Sequence, residues 1–352
     1  MSTDKVTFLL NWKATAYHLP IFMAQANGYF KDEGVKVAIL EPNDPSDVTE
    51  LIGAGNANLG VKALIHTIAG KSRGFPIKSL GTLMDEPFTG VLYLKQNGLT
   101  EDFQTLKGKR IGYVGEFGKI QIDEITAAYG WGPEDYTPVR CGMAIAENLI
   151  SGNIDAGVGL ENIQQVEHHA ILLLEQWLIS QGRPITDVGM HRIDKLANPA
   201  LGCCCFCSIL LIGNENWIDA HPKETAAVMK AIKRGTDFML ANPVAAWKRY
   251  VEFKPVMNTR INALQYDRSF NYMSRDLANV SRDWNKVTGY AKRLGIVPND
   301  FKQNYTNEFL VWPLEKEAED GEIKQQEITA IQKEISQTGG LLFKANEIAA
   351  TA

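Results

Sequence analysis

The chain of 352 residues is long enough for two domains or one bilobed unit. Hydrophobic residues make up 45% and charged residues 22%, as in globular proteins generally, and a net charge of -5 argues against a nucleic-acid partner. No run of 18 apolar residues is present, so no membrane partner is expected, and the start Met1-Ser2-Thr3-Asp4-Lys5-Val6 lacks the basic and long apolar regions of a secretory signal, which points to a cytoplasmic location.

Val6 to Leu10 has strand length and apolar character, with Asn11-Trp12 at its C-terminal end. Pro20 to Ala26 reads as a helix ended by Asn27-Gly28, and Val35 to Leu40 as the next strand. Ser46 is a candidate cap for a helix that runs on to Ile52. Asn58 to Val61 is strand-like and leads into a segment bearing Lys62 and His66; Ile77 to Leu83 and Gly90 to Leu94 are further strands. A second unit begins near Leu106, with strand Ile111 to Val114, the glycine-bracketed turn Gly115-Glu116-Phe117-Gly118-Lys119, and a helix over Ile120 to Ile125. Ile154 to Gly159 is another strand, and His168-His169 opens an apolar helical stretch. After the strand Ser208 to Ile212 the pattern is helical, from Pro222 and again from Pro243, and the tail from Leu314 is charged and alanine-rich. Strands alternating with helices predict a parallel sheet buried on both faces, with ligands at the C-terminal ends of its strands, where Asn11, Trp12 and Lys62 fall.

Four features carry candidate chemistry. Lys62 and His66, four apart, share a face if their segment is helical. A lysine among Ala63, Leu64 and Ile65 loses hydration, so its amine becomes a nucleophile toward an aldehyde; a snorkelling lysine beside a satisfied histidine meets the same spacing. The turn Gly115–Gly118 offers backbone N–H groups at the positive end of a helix, an arrangement suited to phosphate, although such turns also join strands to helices without any ligand. In Cys203-Cys204-Cys205-Phe206-Cys207, strand geometry puts three thiols on one face, a soft site for iron, copper or zinc, or else a buried run of small apolar residues. Trp12 could stack on a ring or simply fill the core, and adjacent His168 and His169 diverge around a helix, which argues against a metal pair.

The chain passes from lobe 1 (residues 1–95) to lobe 2 (96–200) and returns to lobe 1 with helical C-terminal residues (201–352). This resembles the layout of type II periplasmic binding proteins, and the expected fold is α/β and two-lobed, with a helical C-terminal extension and the ligand cleft between the lobes. Several stretches together resemble the NMT1/THI5-like family, the fungal enzymes that form the thiamine pyrimidine. They are Phe8 to Trp12, Lys62 to His66, Glu86 to Gly90, Gly112 to Lys119, Cys203 to Cys207, Trp284 to Tyr290 and Asn304 to Asn307. The longer apolar segment from His168 to Ile179 is the main departure.

The resemblance implies that the pyrimidine is built from pyridoxal 5'-phosphate and a histidine of the protein, with iron and dioxygen supplying the oxidation. On this chain Lys62 would form the Schiff base, and Gly115, Glu116, Phe117 and Gly118 would hold the phosphate. His66 would be consumed, limiting each chain to one turnover, and Cys203, Cys204, Cys205 and Cys207 would bind iron. A homodimer is the implied assembly. One competing reading is a binding protein that captures a thiamine precursor without chemistry, because fold does not fix function; another is a metal- or redox-sensing protein built on the cysteine cluster, which leaves Lys62, His66 and the glycine turn unexplained.

Overall fold

The computed structural model describes residues 5–44, 47–85, 89–95, 98–142, 144–160, 167–192 and 208–314. The chain divides into two compact units, Met1–Glu86 with Cys205–Ala352, and Pro87–Cys204. Ser46, the cysteine string and the tail beyond Leu314 lie outside the described residues.

Unit 1 contains β1 (Val6–Leu9), α1 (Leu19–Ala26), α2 (Tyr29–Asp32), β2 (Val37–Leu40), α3 (Val48–Gly53), β3 (Leu59–Ala63), α4 (Leu64–Ser72) and β4 (Ile77–Met84). Unit 2 follows with β5 (Thr89–Leu94), β6 (Arg110–Tyr113), α5 (Glu116–Ala128), β7 (Thr137–Arg140), α6 (Ile145–Ile150), β8 (Ala156–Leu160), α7 (Glu167–Ser180) and β9 (Val188–Arg192). The chain then returns to unit 1 as β10 (Ile209–Asn214), α8 (Glu215–Ala220), α9 (Pro222–Ala241), α10 (Pro243–Phe253), α11 (Arg260–Ser269) and α12 (Ser281–Arg293).

Each unit holds one five-stranded sheet, in the orders β2-β1-β3-β10-β4 and β7-β6-β8-β5-β9. The sheets are mixed rather than all parallel. β10 runs antiparallel to both β3 and β4, and β5 runs antiparallel to both β8 and β9. Apolar patterning predicted the strands but carries no sign of their direction. The two reversed strands are those next to the crossings between units: β5 is the first strand of unit 2 and β10 the first after the return.

Burial on both faces accounts for the composition of β10, whose six residues Ile-Leu-Leu-Ile-Gly-Asn are all buried. β1 and β3 pair so closely that a Cβ at Gly60 would lie 2.2 Å from the Leu9 carbonyl oxygen, so only glycine fits that rung. In α9 the buried residues Thr225, Val228, Met229, Ala231, Ile232, Gly235, Thr236 and Met239 follow the 3.6-residue period. A Cβ at Gly235 would meet the Pro20 carbonyl oxygen at 2.1 Å, so that glycine lets α1 and α9 touch backbone to backbone. In unit 2, Arg110 holds Asp155 through Nε and one terminal nitrogen at 3.0 and 2.9 Å. With the Arg110 backbone N–H also donating to that carboxylate at 2.9 Å, the start of β6 is fixed beside β8.

Two element boundaries fall elsewhere than the pattern predicted. β3 extends through Lys62 to Ala63, so Lys62 sits on a strand and not on a helix. α5 starts at Glu116, so most of the predicted glycine turn is the helix's first turn. The apolar departure around His168 to Ile179 is helix α7, with Leu174 and Leu178 fully buried and Ile179 exposed.

Candidate functional site

In unit 1 the site is assembled at the end of β3. Lys62 is the penultimate residue of that strand, opposite Leu210 of β10, and is 5% exposed. Ala63 is still extended (φ -69°, ψ 148°), and α4 starts at Leu64, whose N–H donates to the Ser208 carbonyl at 2.9 Å. The Thr67 hydroxyl donates to the Ala63 carbonyl at 3.1 Å and fastens the first turn. His66 is the third residue of α4. The four-residue helical spacing expected for Lys62 and His66 therefore does not hold: a strand-to-helix junction separates them. The sequence could not show this, because Gly60 to Ile65 is apolar enough to suit a buried strand or a buried helix.

The electrostatics of the pair do follow from burial. Desolvation lowers the Lys62 pKa to about 8, against the partial opposition of Asp44 and Asp47. His66 is driven well below its ordinary range by burial, then by the neighbouring charges of Lys62 and Arg73. The arrangement thus holds a partly neutral amine near a neutral imidazole. Asp44 and Asp47, in the loop after β2, were not anticipated from the sequence; only the tertiary fold sets them near Lys62.

Asn11 and Trp12 follow β1. The last paired rung between β1 and β3 is Leu9 with Gly60; Asn11 follows it by two residues in the bend after β1, and Lys62 by two residues still on β3. Asn11 is 6% exposed and Trp12 is half-buried. The Asn11 side-chain oxygen accepts from the Tyr17 hydroxyl at 3.1 Å and faces His18 Nε2 at 2.9 Å. These two partners also escaped the sequence reading: they come from the short helical turn Ala16–His18, which no apolar periodicity announces.

In unit 2, Gly115 precedes α5 in an extended conformation (φ -150°, ψ -174°) that any residue can adopt. A Cβ placed there would meet nothing within 4 Å, and one at Gly118 would reach only Tyr113 Cβ at 3.6 Å. Neither glycine is required by backbone strain or by packing. What they leave is open space at the first turn of a 13-residue helix, whose leading N–H groups have no partner within the helix. Glu116 and Phe117 are its first two residues. The Gly115 carbonyl accepts from the Lys119 N–H at 3.2 Å, and Lys119 pairs with Asp123 at 2.5 Å. Cys203, Cys204, Cys205 and Cys207 lie outside the described residues, as do the side chains of His168 and His169.

The two mixed five-stranded sheets and their flanking helices define an α/β fold of the periplasmic-binding-protein class. The aliphatic sulphonate-binding protein SsuA of Escherichia coli is 13% identical, with a TM-score of 0.63 over 85% of this chain and 95% of its own. A sulfonate-binding SsuA from Methylobacillus flagellatus is 15% identical, with a TM-score of 0.62 over 90% and 99%. At such identities the likeness shows the fold alone. The sequence comparison is more specific: the family model described as NMT1/THI5 like matches residues 15–246, and this chain belongs to that family. Proteins named 4-amino-5-hydroxymethyl-2-methylpyrimidine phosphate synthase are similar to it over nearly the full length. The one from Uromyces fabae is 64% identical, covering 97% of this chain and 98% of the relative. That from Aspergillus parasiticus is 57% identical over the whole of both, and that from Schizosaccharomyces pombe 54% identical over 99% and 98%.

Among the described residues, no helix is long and apolar enough to cross a membrane.

Proposed function

We propose that this chain forms 4-amino-5-hydroxymethyl-2-methylpyrimidine phosphate for thiamine biosynthesis, using pyridoxal 5'-phosphate and its own His66 as the two substrates. The observation that carries the reading is the 54–64% identity, over almost the whole chain, to relatives that bear that name. The site is compatible with it. Lys62 offers what an aldehyde needs: an amine whose proton is loosened by burial rather than by a neighbouring base. At pH 7 a pKa near 8 leaves about a tenth of the amine neutral, against about one part in 3,000 for an ordinary lysine. The first turn of α5, open at Gly115 and Gly118, suits a phosphate held by backbone N–H groups.

In this reading Lys62 holds the aldehyde carbon and His66, kept neutral, presents an uncharged imidazole as the co-substrate. Iron with dioxygen would supply the oxidation. The described residues contain no group of three or more His, Cys, Asp or Glu placed to hold a metal ion. The proposed iron-binding element is the string Cys203, Cys204, Cys205 and Cys207, which leads directly into Ser208, the residue whose carbonyl accepts from the Leu64 N–H. Serine in place of all four should abolish ferrous binding by the chain while leaving its uptake of pyridoxal phosphate intact. A homodimer is the proposed assembly, to be checked by light scattering.

The deciding experiment is stoichiometric. Protein incubated aerobically with pyridoxal phosphate and ferrous iron should yield at most one equivalent of pyrimidine per chain, with mass lost at residue 66. A capture protein of the binding-protein type would return its ligand unchanged, and an ordinary catalyst would exceed one equivalent.

A further inference from the structure

We propose that His18 is a positioning residue for this site: through Asn11 it fixes the polarity of one amide, so that Asn11 offers only N–H donors to a lone pair on the aldehyde-bearing ring. The proposal rests on the reading of function above.

The hydrogen-bond roles in this cluster are forced one after another. The Thr15 backbone N–H lies 3.2 Å from His18 Nδ1 and has only a donor role, so Nδ1 is the unprotonated nitrogen. The ring is fully buried, and desolvation together with the Lys254 charge holds its pKa down at about 3, so it is neutral near pH 7. Its single proton therefore resides on Nε2. The Asn11 atom that Nε2 meets at 2.9 Å must then be the acceptor, Oδ1. The Tyr17 hydroxyl donates to the same oxygen at 3.1 Å.

A flipped amide would set its NH2 against the Nε2–H and lose the acceptor for two buried donors, so one orientation is strongly preferred. The assembly is itself anchored: the Tyr250 hydroxyl donates to the Thr15 carbonyl at 2.9 Å, the Thr15 hydroxyl lies 3.3 Å from His18 Nδ1, and the Tyr17 and His18 rings lie 4.2 Å apart. What remains is the Asn11 NH2, on a side chain 6% exposed, with no hydrogen-bond partner among the described residues. Along the chain it follows the Leu9–Gly60 rung by two residues, as Lys62 does on the neighbouring strand β3. A donor in that place reads a ring nitrogen lone pair or a phenolate oxygen and rejects an N–H.

The test measures the dissociation constant of pyridoxal phosphate by visible absorbance, with circular dichroism as the check of folding. Asn11→Asp, isosteric but without an N–H, should weaken binding about tenfold or more. His18→Leu should weaken it by about threefold or more, and His18→Gln, which restores an N–H toward Oδ1, should recover most of that loss. In an Asn11→Ala background His18→Leu should add nothing, since the ring acts only through the amide. Equal losses from His18→Leu with and without the Asn11 side chain would overturn the proposal. Should His18→Leu not fold, the carboxylate decides alone, and Asn11→Asp binding as tightly as the unaltered chain overturns it. Binding that depends on Lys62 but not on Asn11 defeats this assignment only. An unaltered chain that does not bind pyridoxal phosphate defeats the functional reading and this assignment with it.

Discussion

Units 1 and 2 share one sheet plan, and the proposed reaction puts it to different chemical use. In each, four strands run the same way and a fifth, second from one edge, runs against them. In unit 1 the proposed chemistry lies in side chains at one end of that plan: buried Lys62 on β3, His66 in the first turn of α4, and buried Asn11 beyond β1. In unit 2 the proposed phosphate site lies in the backbone, at the first turn of α5, where Gly115 and Gly118 leave space. The difference separates reacting from holding. A buried side chain can have its protonation tuned by desolvation, whereas a helix N-terminus attracts an anion and cannot be consumed or titrated near neutral pH. Damage to unit 1 should therefore stop the reaction, and damage to unit 2 should weaken affinity only.

The sharpest break is His66→Asn. If His66 were a general base, its loss would slow the reaction by about 10²–10⁴ and leave turnover. As a co-substrate it contributes atoms of the product, so we expect no pyrimidine at all, with pyridoxal phosphate uptake retained. Detection of product by mass spectrometry in this variant would move the reacting histidine elsewhere.

Lys62→Arg comes next. A guanidinium keeps its proton throughout the working pH range, so the variant should fold and carry the same charge yet fail to retain pyridoxal mass on the residue 62 peptide after borohydride treatment. In the unaltered chain the same assay has a pH dependence. The folded pKa lies near 8, below the unfolded value, so the neutral fraction rises as pH rises through about 8, and the initial rate of capture should rise with it and level off above. The sign for stability agrees. Between pH 8 and the ordinary lysine value the unfolded chain binds more protons at this residue, so its contribution to stability increases with pH across that window. A capture rate that inflects near 10 instead would show an exposed lysine.

How legible was this division beforehand? Strand positions in both units follow apolar runs: β1, β4, β5 and β6 begin and end within about two residues of where the pattern puts them. The direction of β10 and β5 was not legible, since pairing partners distant in sequence decide it. The apolar surroundings of Lys62 and His66 were legible but their element was not, because a buried strand running straight into a helix at Ala63-Leu64 has no polar residue to mark the joint. His18 and Tyr17 were invisible as site residues. Their roles are set by the Thr15 backbone and by Asn11, and a single buried histidine in a three-residue helical turn gives no periodic signal.

The smallest expected effect tests unit 2. Gly115→Val and Gly118→Val are informative because the fold tolerates them: the Gly115 backbone is ordinary extended chain, a Cβ there meets nothing, and at Gly118 it meets only Tyr113 Cβ at contact distance. Melting temperature should therefore move by only a few degrees, the cost of a β-branched residue near a helix start. Pyridoxal phosphate affinity should fall about tenfold, the share expected when a phosphate is kept from the leading N–H groups and the helix dipole. Pyridoxal without its phosphate supplies the control. It lacks the group that α5 would hold, so its capture by Lys62 should be equally poor in the unaltered chain and in both variants. Were the valine variants to weaken pyridoxal and pyridoxal phosphate alike, the loss would be one of general access to Lys62, and the assignment of phosphate to the backbone of unit 2 would fail. Were both to bind the phosphate ester at full strength, unit 2 would hold its ligand elsewhere, and the contrast between a reacting unit and a holding unit would lose its second half.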